Sequence, residues 1–233
     1  YGTSECGRLF VKADGELPVA RSIKARGGVY EVFMHAKKMA EKRGILTPGG
    51  DITVLVGEQA RALFAQHTIA VGSTGNLGLS VGIAARALGF RAVVHMSSDA
   101  KQWKVDRLTR LGVEVVQRKA DYTTAVEHAR IDAEGDPSIY FVDDERSEML
   151  FFGYSSAASE LAVQLKEQGV TIDEDHPLFI YLPCGIGGAP CRAASGLQAI
   201  SVDAGNRFLV LQVKCRCAMV SMFSVSTCHS LVF

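Results

Sequence analysis

Short apolar segments that alternate with helical segments are the feature that most constrains the fold of this chain. Each apolar stretch is followed by a segment with apolar residues at helical spacing, and glycines or turns separate the two. Repeated units of this kind with short connections are typical of a parallel sheet with helices on both faces. The pattern predicts strands at 68–73, 90–96, 113–116, 139–142 and 178–183, and helices at 77–88, 99–111, 121–134 and 154–168.

A further helix is predicted at 26–43, and a single lysine, Lys24, stands just before it. Ser22 is placed to help cap the start of this helix. Gly27 and Gly28 lie in its first turn, where glycine lowers helix stability. The glycine pair therefore requires a reason other than helix propensity.

Two interpretations of Lys24 follow from the sequence. It is either a solvated lysine at a helix start, which is the usual position of lysines, or an amine kept reactive by neighbouring positive charge. Arg21 and Arg26 are the flanking residues that would supply this charge.

Composition narrows the class of partner. Lys+Arg and Asp+Glu are both 25, so the formal net charge is zero and nothing favours nucleic acid or an anionic membrane. No uninterrupted apolar run approaches the ~18 residues of a membrane span. The six cysteines contain no C-x-x-C pair, which argues against a zinc site, and a disulfide framework is not expected either. We expect a cytoplasmic enzyme, or a fragment of one, that acts on a small molecule.

The loop "GSTGNLG" at 72–78 follows a predicted strand and begins a helix. Its glycines let the backbone approach a ligand, and the helix start offers free N–H groups to an anion. Ser73 and Thr74 add hydroxyl groups beside Gly75, and Asn76 adds an amide. A plain turn explains the loop equally well. The glycine spacing differs from the dinucleotide pattern G-x-G-x-x-G, so a nicotinamide site gains little support.

Two other strand ends carry candidate residues. The loop "PCGIGGAP" at 183–190 has N–H groups that can surround a phosphate, although a tight turn is the alternative, and no P-loop lysine follows. Asp143 and Asp144 follow the strand at 139–142. For these two acids a substrate-site role is weighed against helix capping, and capping is the favoured interpretation.

The order of these pieces is more informative than any of them alone. A lysine near a helix start comes first, then a Ser-Thr-Gly-Asn loop, then a glycine loop at a later strand end. A cofactor that carries both an aldehyde and a phosphate needs an amine, a polar loop and an anion cradle of this kind.

At these residues the sequence resembles the fold-type II pyridoxal-phosphate enzymes, and within them the D-serine dehydratase (D-serine ammonia-lyase) family. The resemblance covers roughly residues 8–190 and rests on "SIKARGGVYEV", "IAVGSTGNLGLSVGI", "VHMSSDAKQWK", "FVDDE" and "LFIYLPCGIGG", in the family's order. The long segment between Lys24 and Asn76, with its "TPGG" turn, favours the D-serine branch over L-serine or L-threonine dehydratases.

The resemblance implies pyridoxal 5'-phosphate as cofactor, allows a monovalent cation, and implies a monomer that converts D-serine to pyruvate and ammonia by β-elimination. It implies that Lys24 forms the Schiff base with the cofactor and then acts as base, and that Asn76 bonds the cofactor's ring oxygen. It implies that a substrate carboxylate is bound by Ser73, Thr74 and Gly75, and the cofactor phosphate by Gly185, Ile186, Gly187 and Gly188. The alternatives are a catalytically impaired fragment and another fold-type II lyase, such as an L-serine or L-threonine dehydratase.

The sequence also departs from the family. Arg21 stands where the family usually has glycine, and a bulky cation there would crowd the cofactor. After Gly188 the glycine run gives way to "APCRAAS", and the tail has no clear period apart from a strand predicted at 208–213. These departures lead us to expect an incomplete chain that lacks the C-terminal half of the large domain.

The resemblance also divides the chain into four parts. A first piece of the large cofactor-binding domain carries the Schiff-base lysine, a smaller α/β domain follows, the chain then returns to the large domain with the phosphate loop, and a divergent tail ends it. The expected bounds are 1–44, 45–150, 151–190 and 191–233.

Overall fold

The computed structural model describes most of the chain up to residue 184 and several segments beyond it. The described residues are 8–73, 75–118, 122–144, 146–173, 176, 178–184, 189, 193, 196, 208–214 and 220–223.

A four-stranded parallel sheet forms the centre of the fold, in the order β3-β2-β1-β4. All five residues of β1 are buried, as expected for an apolar strand with a neighbour on each side. The predicted α/β class and the parallel pairing are thereby confirmed. The strands are β1 Thr68–Gly72, β2 Arg91–Ser97, β3 Glu114–Arg118 and β4 Ile139–Val142.

Helices cover this sheet and connect its strands. Most of them have nearly the predicted bounds, but the last one begins at Glu148 rather than at 154. The earlier start is stabilised by Ser147, whose side chain accepts a hydrogen bond from Leu150 N. The helices are α1 Lys24–Lys42, α2 Glu58–Phe64, α3 Asn76–Leu88, α4 Gln102–Arg110, α5 Tyr122–Glu134 and α6 Glu148–Glu167, with short 3-10 turns at Asp14–Glu16 and Ile52–Val56.

A second, three-stranded sheet follows in the chain. Its strand β5 (Leu178–Cys184) pairs in parallel with β6 (Phe208–Lys214), which agrees with the strand predicted at 208–213. The strand β7 (Val220–Phe223) pairs antiparallel with β6 and was not expected from the sequence.

Helix α1 packs unusually closely against α6 and α3, and the glycine pair is the reason. A Cβ on Gly27 would overlap the ring of Tyr154 in α6, and a Cβ on Gly28 would overlap the hydroxyl of Ser80 in α3. From the other side, a Cβ on Gly153 would stand 2.6 Å from the carbonyl oxygen of Arg26. Glycine lowers helix propensity at these positions, but its missing side chain lets the three helices approach this closely.

Candidate functional site

The loops after β1 and β4 meet at one edge of the parallel sheet, which we call the carboxyl edge. These strands are neighbours, so the loop at 73–75 and the two acids at 143 and 144 leave the sheet side by side. Helix α1 also begins at this edge. Lys24, its first residue, contacts Asp144 just after β4, and Glu31, two turns later, accepts a hydrogen bond from Tyr140 inside β4. Helix α3 begins at the same edge, directly after β1.

The amine of Lys24 is held by a carboxylate. Its Nζ lies 3.1 Å from each carboxylate oxygen of Asp144, and the ring centroid of Tyr154 is 5.1 Å from the same atom. The Asp144 side chain is 9% exposed and that of Lys24 25% exposed. Ser22 Oγ accepts a hydrogen bond from Lys24 N at 3.3 Å, which orients the backbone at the helix start. Lys24 is therefore not the freely solvated lysine of the first interpretation.

The favoured capping interpretation of Asp143 and Asp144 is wrong. The residue that caps α6 is Ser147, and Asp144 pairs with Lys24 instead. Asp143 binds Arg130, with Oδ2 2.8 Å from Nη2, and also accepts a hydrogen bond from Arg146 N within the loop. The two adjacent acids therefore have different roles, and only Asp144 faces the lysine amine.

Of the two flanking arginines considered as sources of positive charge at Lys24, one is paired with acids and the other is exposed. Arg26 is turned to Asp14, with Nη2 2.9 Å from Oδ1, and it also pairs with Glu160. Arg21 is exposed. The charged group nearest to the Lys24 amine in the described structure is therefore the negative Asp144.

The backbone conformation of Arg21 is one that favours glycine, in line with the glycine that the resemblance led us to expect here. Its φ is +48°, in the left-handed region that glycine adopts without strain. Val19, two residues earlier, has a φ of +73°. The segment before Lys24 therefore makes a sharp turn that side chains with a Cβ adopt at a cost.

Ser73 makes hydrogen bonds to the neighbouring strand and to Gly75. Ser73 is buried, its N donates to the carbonyl of His95 at 2.8 Å, and its Oγ accepts from Gly75 N at 3.2 Å. Asn76 is half-buried and begins α3. The helix start therefore faces the carboxyl edge with backbone N–H groups that have no capping side chain from Gly75, the N-cap residue.

Five predicted site residues fall outside the described part of the chain. They are Thr74 of the first loop and the phosphate-loop residues Gly185, Ile186, Gly187 and Gly188.

A buried polar cluster behind the Lys24–Asp144 pair was missed by the sequence analysis. Glu31 is 1% exposed and accepts hydrogen bonds from Tyr140 Oη, at 2.9 Å, and from Ser147 Oγ. Burial raises the pKa of its carboxyl, against these hydrogen bonds. His35 stacks on Tyr140 with ring centroids 3.8 Å apart, and burial lowers the pKa of His35 to about 4. The only available signal was a charged residue on the apolar face of the predicted helix.

The residues at the carboxyl edge fit an aldehyde-bearing cofactor. A primary amine, an acid able to exchange a proton with it, a half-buried amide and an uncapped helix start lie at the same edge. Among the described residues, and apart from its neighbours in the chain, no atom would lie closer than 4.0 Å to a Cβ on Gly75, so this part of the described backbone leaves space for a ligand. The donor set thus contains what an aldehyde and an anionic group require.

Comparison with known proteins agrees with a cofactor of this kind. The sequence profile of a family described as pyridoxal-phosphate dependent enzyme matches residues 2–225. The chain is 64% identical over 224 residues to a probable D-serine dehydratase from Rhizobium etli, covering 96% of this chain and 50% of the relative. It is 53% identical over 228 residues to one from Paracidovorax citrulli, covering 98% and 51%. The chain spans about half the length of the curated relatives it matches, and the similarity extends beyond residue 190 into the segment set apart as a tail.

Solved structures with a similar fold include an ammonia lyase. Diaminopropionate ammonia lyase from Escherichia coli in apo form superposes with a TM-score of 0.66 at 25% identity, covering 87% of this chain and 53% of that chain. The same enzyme in complex with D-serine gives a TM-score of 0.59 at 25% identity, covering 82% and 47%. Within the described residues, no helix is both long enough and apolar enough to cross a membrane.

Proposed function

Because the chain belongs to the family of pyridoxal-phosphate dependent enzymes, we propose that it serves the conversion of D-serine to pyruvate and ammonia. The observation that carries the proposal is the Lys24–Asp144 pair at the carboxyl edge, beside the loop at 73–75. The relatives named probable D-serine dehydratase support the choice of substrate, as does the D-serine complex of the similar lyase.

The cofactor would be held at three points. Lys24 would bind its aldehyde carbon through Nζ, Asn76 would bond its ring oxygen, and the glycine loop of Gly185, Ile186, Gly187 and Gly188 would surround its phosphate. When bound, the cofactor supplies an electron sink for the negative charge left at the α-carbon of the substrate.

Proton transfer is the part of the reaction that the side chains themselves perform. Overall, D-serine loses its α-proton and β-hydroxyl as water, and one water molecule then enters as ammonia leaves, so that pyruvate remains. Asp144, 3.1 Å from Lys24 Nζ, is the group that takes up and returns a proton at this nitrogen. Tyr154, which is 1% exposed, excludes water beside the amine. Ser73, Thr74 and Gly75 would bind the substrate carboxylate.

The proposed enzyme is a cytoplasmic monomer that tolerates or uses a monovalent cation. The balanced charge of the chain offers no attraction to nucleic acid or an anionic membrane, so neither is proposed as a partner. Size-exclusion chromatography with light scattering tests the monomer, and activity in sodium, potassium and a bulky organic cation tests the cation.

Absorption spectroscopy tests the proposal directly. The purified chain is mixed with pyridoxal phosphate, and a visible band is expected that Lys24→Ala abolishes. Lys12→Ala is the matched control, because Lys12 pairs with Asp14 and Glu160 away from the carboxyl edge and should leave the band intact. A band that persists in Lys24→Ala contradicts the assignment of this lysine.

Pyruvate release separates the candidate substrates. A coupled assay with D-serine, L-serine and L-threonine should give turnover with D-serine alone. Turnover of L-serine or L-threonine in its place would make the chain another lyase of the family. A cofactor band without any turnover would support a chain that binds the cofactor but is catalytically impaired.

A further inference from the structure

Two side chains of helix α4 reach the carboxyl edge, one beside the segment that precedes Lys24 and one beside Gly75. On one side, Arg107 Nη2 donates to the carbonyl of Val19 at 2.8 Å, five residues before Lys24. On the other side, Lys104 Nζ lies 4.0 Å from the point where a Cβ would stand on Gly75. Ser73 Oγ lies 4.0 Å from the same point. The ammonium of Lys104 and the hydroxyl of Ser73 thus flank the open backbone of Gly75.

The side chain of Lys104 is half-buried, and none of the described acidic residues neutralises it. Within the described residues no carboxylate forms an ion pair with its Nζ, and the ring centroid of Trp103 lies 5.4 Å from this atom. Burial lowers the pKa of Lys104, and Lys101 lowers it further. An ammonium that is half-buried without a counter-ion is costly, and an anion beside it removes part of that cost.

The start of helix α3 adds to the positive potential at the same place. The N-cap residue, Gly75, offers no side chain to the free N–H groups of the first turn. The ammonium and the helix start therefore approach one position from two different elements, α4 and α3.

We propose that Lys104 binds the carboxylate of the amino-acid substrate over Gly75, together with the hydroxyl of Ser73. The proposal rests on the function proposed above, in which the glycine loop at 185–188 takes the cofactor phosphate. Of the two anionic groups, the cofactor phosphate is then already bound, and the carboxylate of D-serine is left to be bound. Lys104 lies beside Gly75, where this carboxylate would be placed. In this scheme Lys104 binds the substrate and takes no part in the chemical step, and it favours substrates that have a free carboxylate.

Binding rather than turnover is the measurement that tests this proposal. D-serine is titrated into the chain loaded with pyridoxal phosphate, and the change in visible absorption gives its dissociation constant. Lys104→Met should raise this constant about tenfold, as expected for the loss of a charge-assisted hydrogen bond, and Lys104→Arg should restore most of the affinity. Saturation with the cofactor should be the same in all variants.

Two controls isolate the carboxylate. Lys101→Met removes an exposed charge from the same end of α4 and should change the D-serine constant less than about twofold. Serinol has a hydroxymethyl group in place of the carboxylate and should bind more weakly than D-serine. Its dissociation constant should be the same for the unaltered chain and for Lys104→Met.

The outcomes distinguish this proposal from the function on which it rests. A cofactor band with equal D-serine affinity in the unaltered chain and Lys104→Met overturns the role of Lys104 alone. Equal losses of D-serine and serinol affinity in Lys104→Met also overturn it, because the carboxylate is then not what Lys104 recognises. Absence of a Lys24-dependent band, or a band that D-serine leaves unchanged, overturns the proposed function and this inference with it.

Discussion

Gly27 in α1 lies directly against the ring of Tyr154 in α6, so closely that a Cβ on Gly27 would overlap the ring. The same ring has its centroid 5.1 Å from the amine of Lys24. One glycine therefore determines how near the buried tyrosine, and the helix that carries it, can come to the candidate reactive lysine.

Replacement of Gly27 by alanine should destabilise the fold, because the buried Tyr154 ring must shift to admit a methyl group. Overpacking of this kind costs about 1–3 kcal/mol, more than alanine gains in helix propensity. Urea denaturation followed by circular dichroism measures the free energy of unfolding. Gly15→Ala is the matched control, since among the described residues no atom outside its chain neighbours lies within 4 Å of a Cβ there, and it should be nearly neutral. An equal effect at both positions would contradict the packing argument.

Replacement of Asp144 by asparagine should abolish most D-serine turnover while the chain still folds. The amide keeps the size of the carboxylate but cannot take up the proton of the Lys24 amine, and loss of such proton transfer lowers rates about 10²–10⁴-fold. Pyruvate release measures the effect. Asp143→Asn is the neighbouring control, because Asp143 pairs with Arg130 rather than with Lys24, and it should lose far less activity. Similar losses in the two variants would argue against a specific role for Asp144.

Replacement of Arg21 by glycine should stabilise the chain by up to about 1 kcal/mol, because glycine adopts a φ of +48° without strain. The greater freedom of glycine in the unfolded state limits the gain. Thermal and urea unfolding measure it. Arg43→Gly is the comparison: Arg43 is also exposed but has a φ of −96°, so glycine there should lower stability. A loss of stability in Arg21→Gly would show that the side chain contributes more than the backbone strain costs.

Acid should destabilise the fold through His35. Its folded-state pKa is lowered to about 4 from 6.5, chiefly by burial, so the unfolded chain binds a proton that the folded chain does not. The stability is therefore complete above pH 6.5 and falls as the pH drops toward 4. The loss is of the order of 3 kcal/mol at most.

His35→Phe keeps a ring for stacking on Tyr140 but cannot titrate, so its stability should change less across this range. Urea unfolding at several pH values measures both slopes. Identical slopes for the variant and the unaltered chain would remove His35 as the cause.

Local patterns predicted most of the fold from the sequence. The strand at 139–142 and the buried β1 follow from apolar runs, and Lys24 and the loop at 72–78 follow from residue type and position. These features depend on neighbours in the chain, so the sequence contains them directly.

Contacts between distant residues could not be predicted in the same way. The pairing of Lys24 with Asp144 depends on which strands are neighbours in the sheet, and capping was a reasonable local alternative for the acid. The contact of Gly27 with Tyr154 and the approach of Lys104 to Gly75 depend on how helices pack in three dimensions. The sequence around a glycine or a lysine does not reveal whether such a long-range contact exists.

The separation of Lys24 and Asp144 along the chain has a consequence for the order of folding. Their hydrogen bonds join residues 120 positions apart, so they close a loop that contains the whole four-stranded sheet. The entropy of closing such a loop delays the contact until the sheet has been assembled. During synthesis, the lysine leaves the ribosome long before its acid does, and it stays without this partner until β4 has joined β1. The candidate site is therefore among the last features of this region to form, and its formation reports that the sheet is complete.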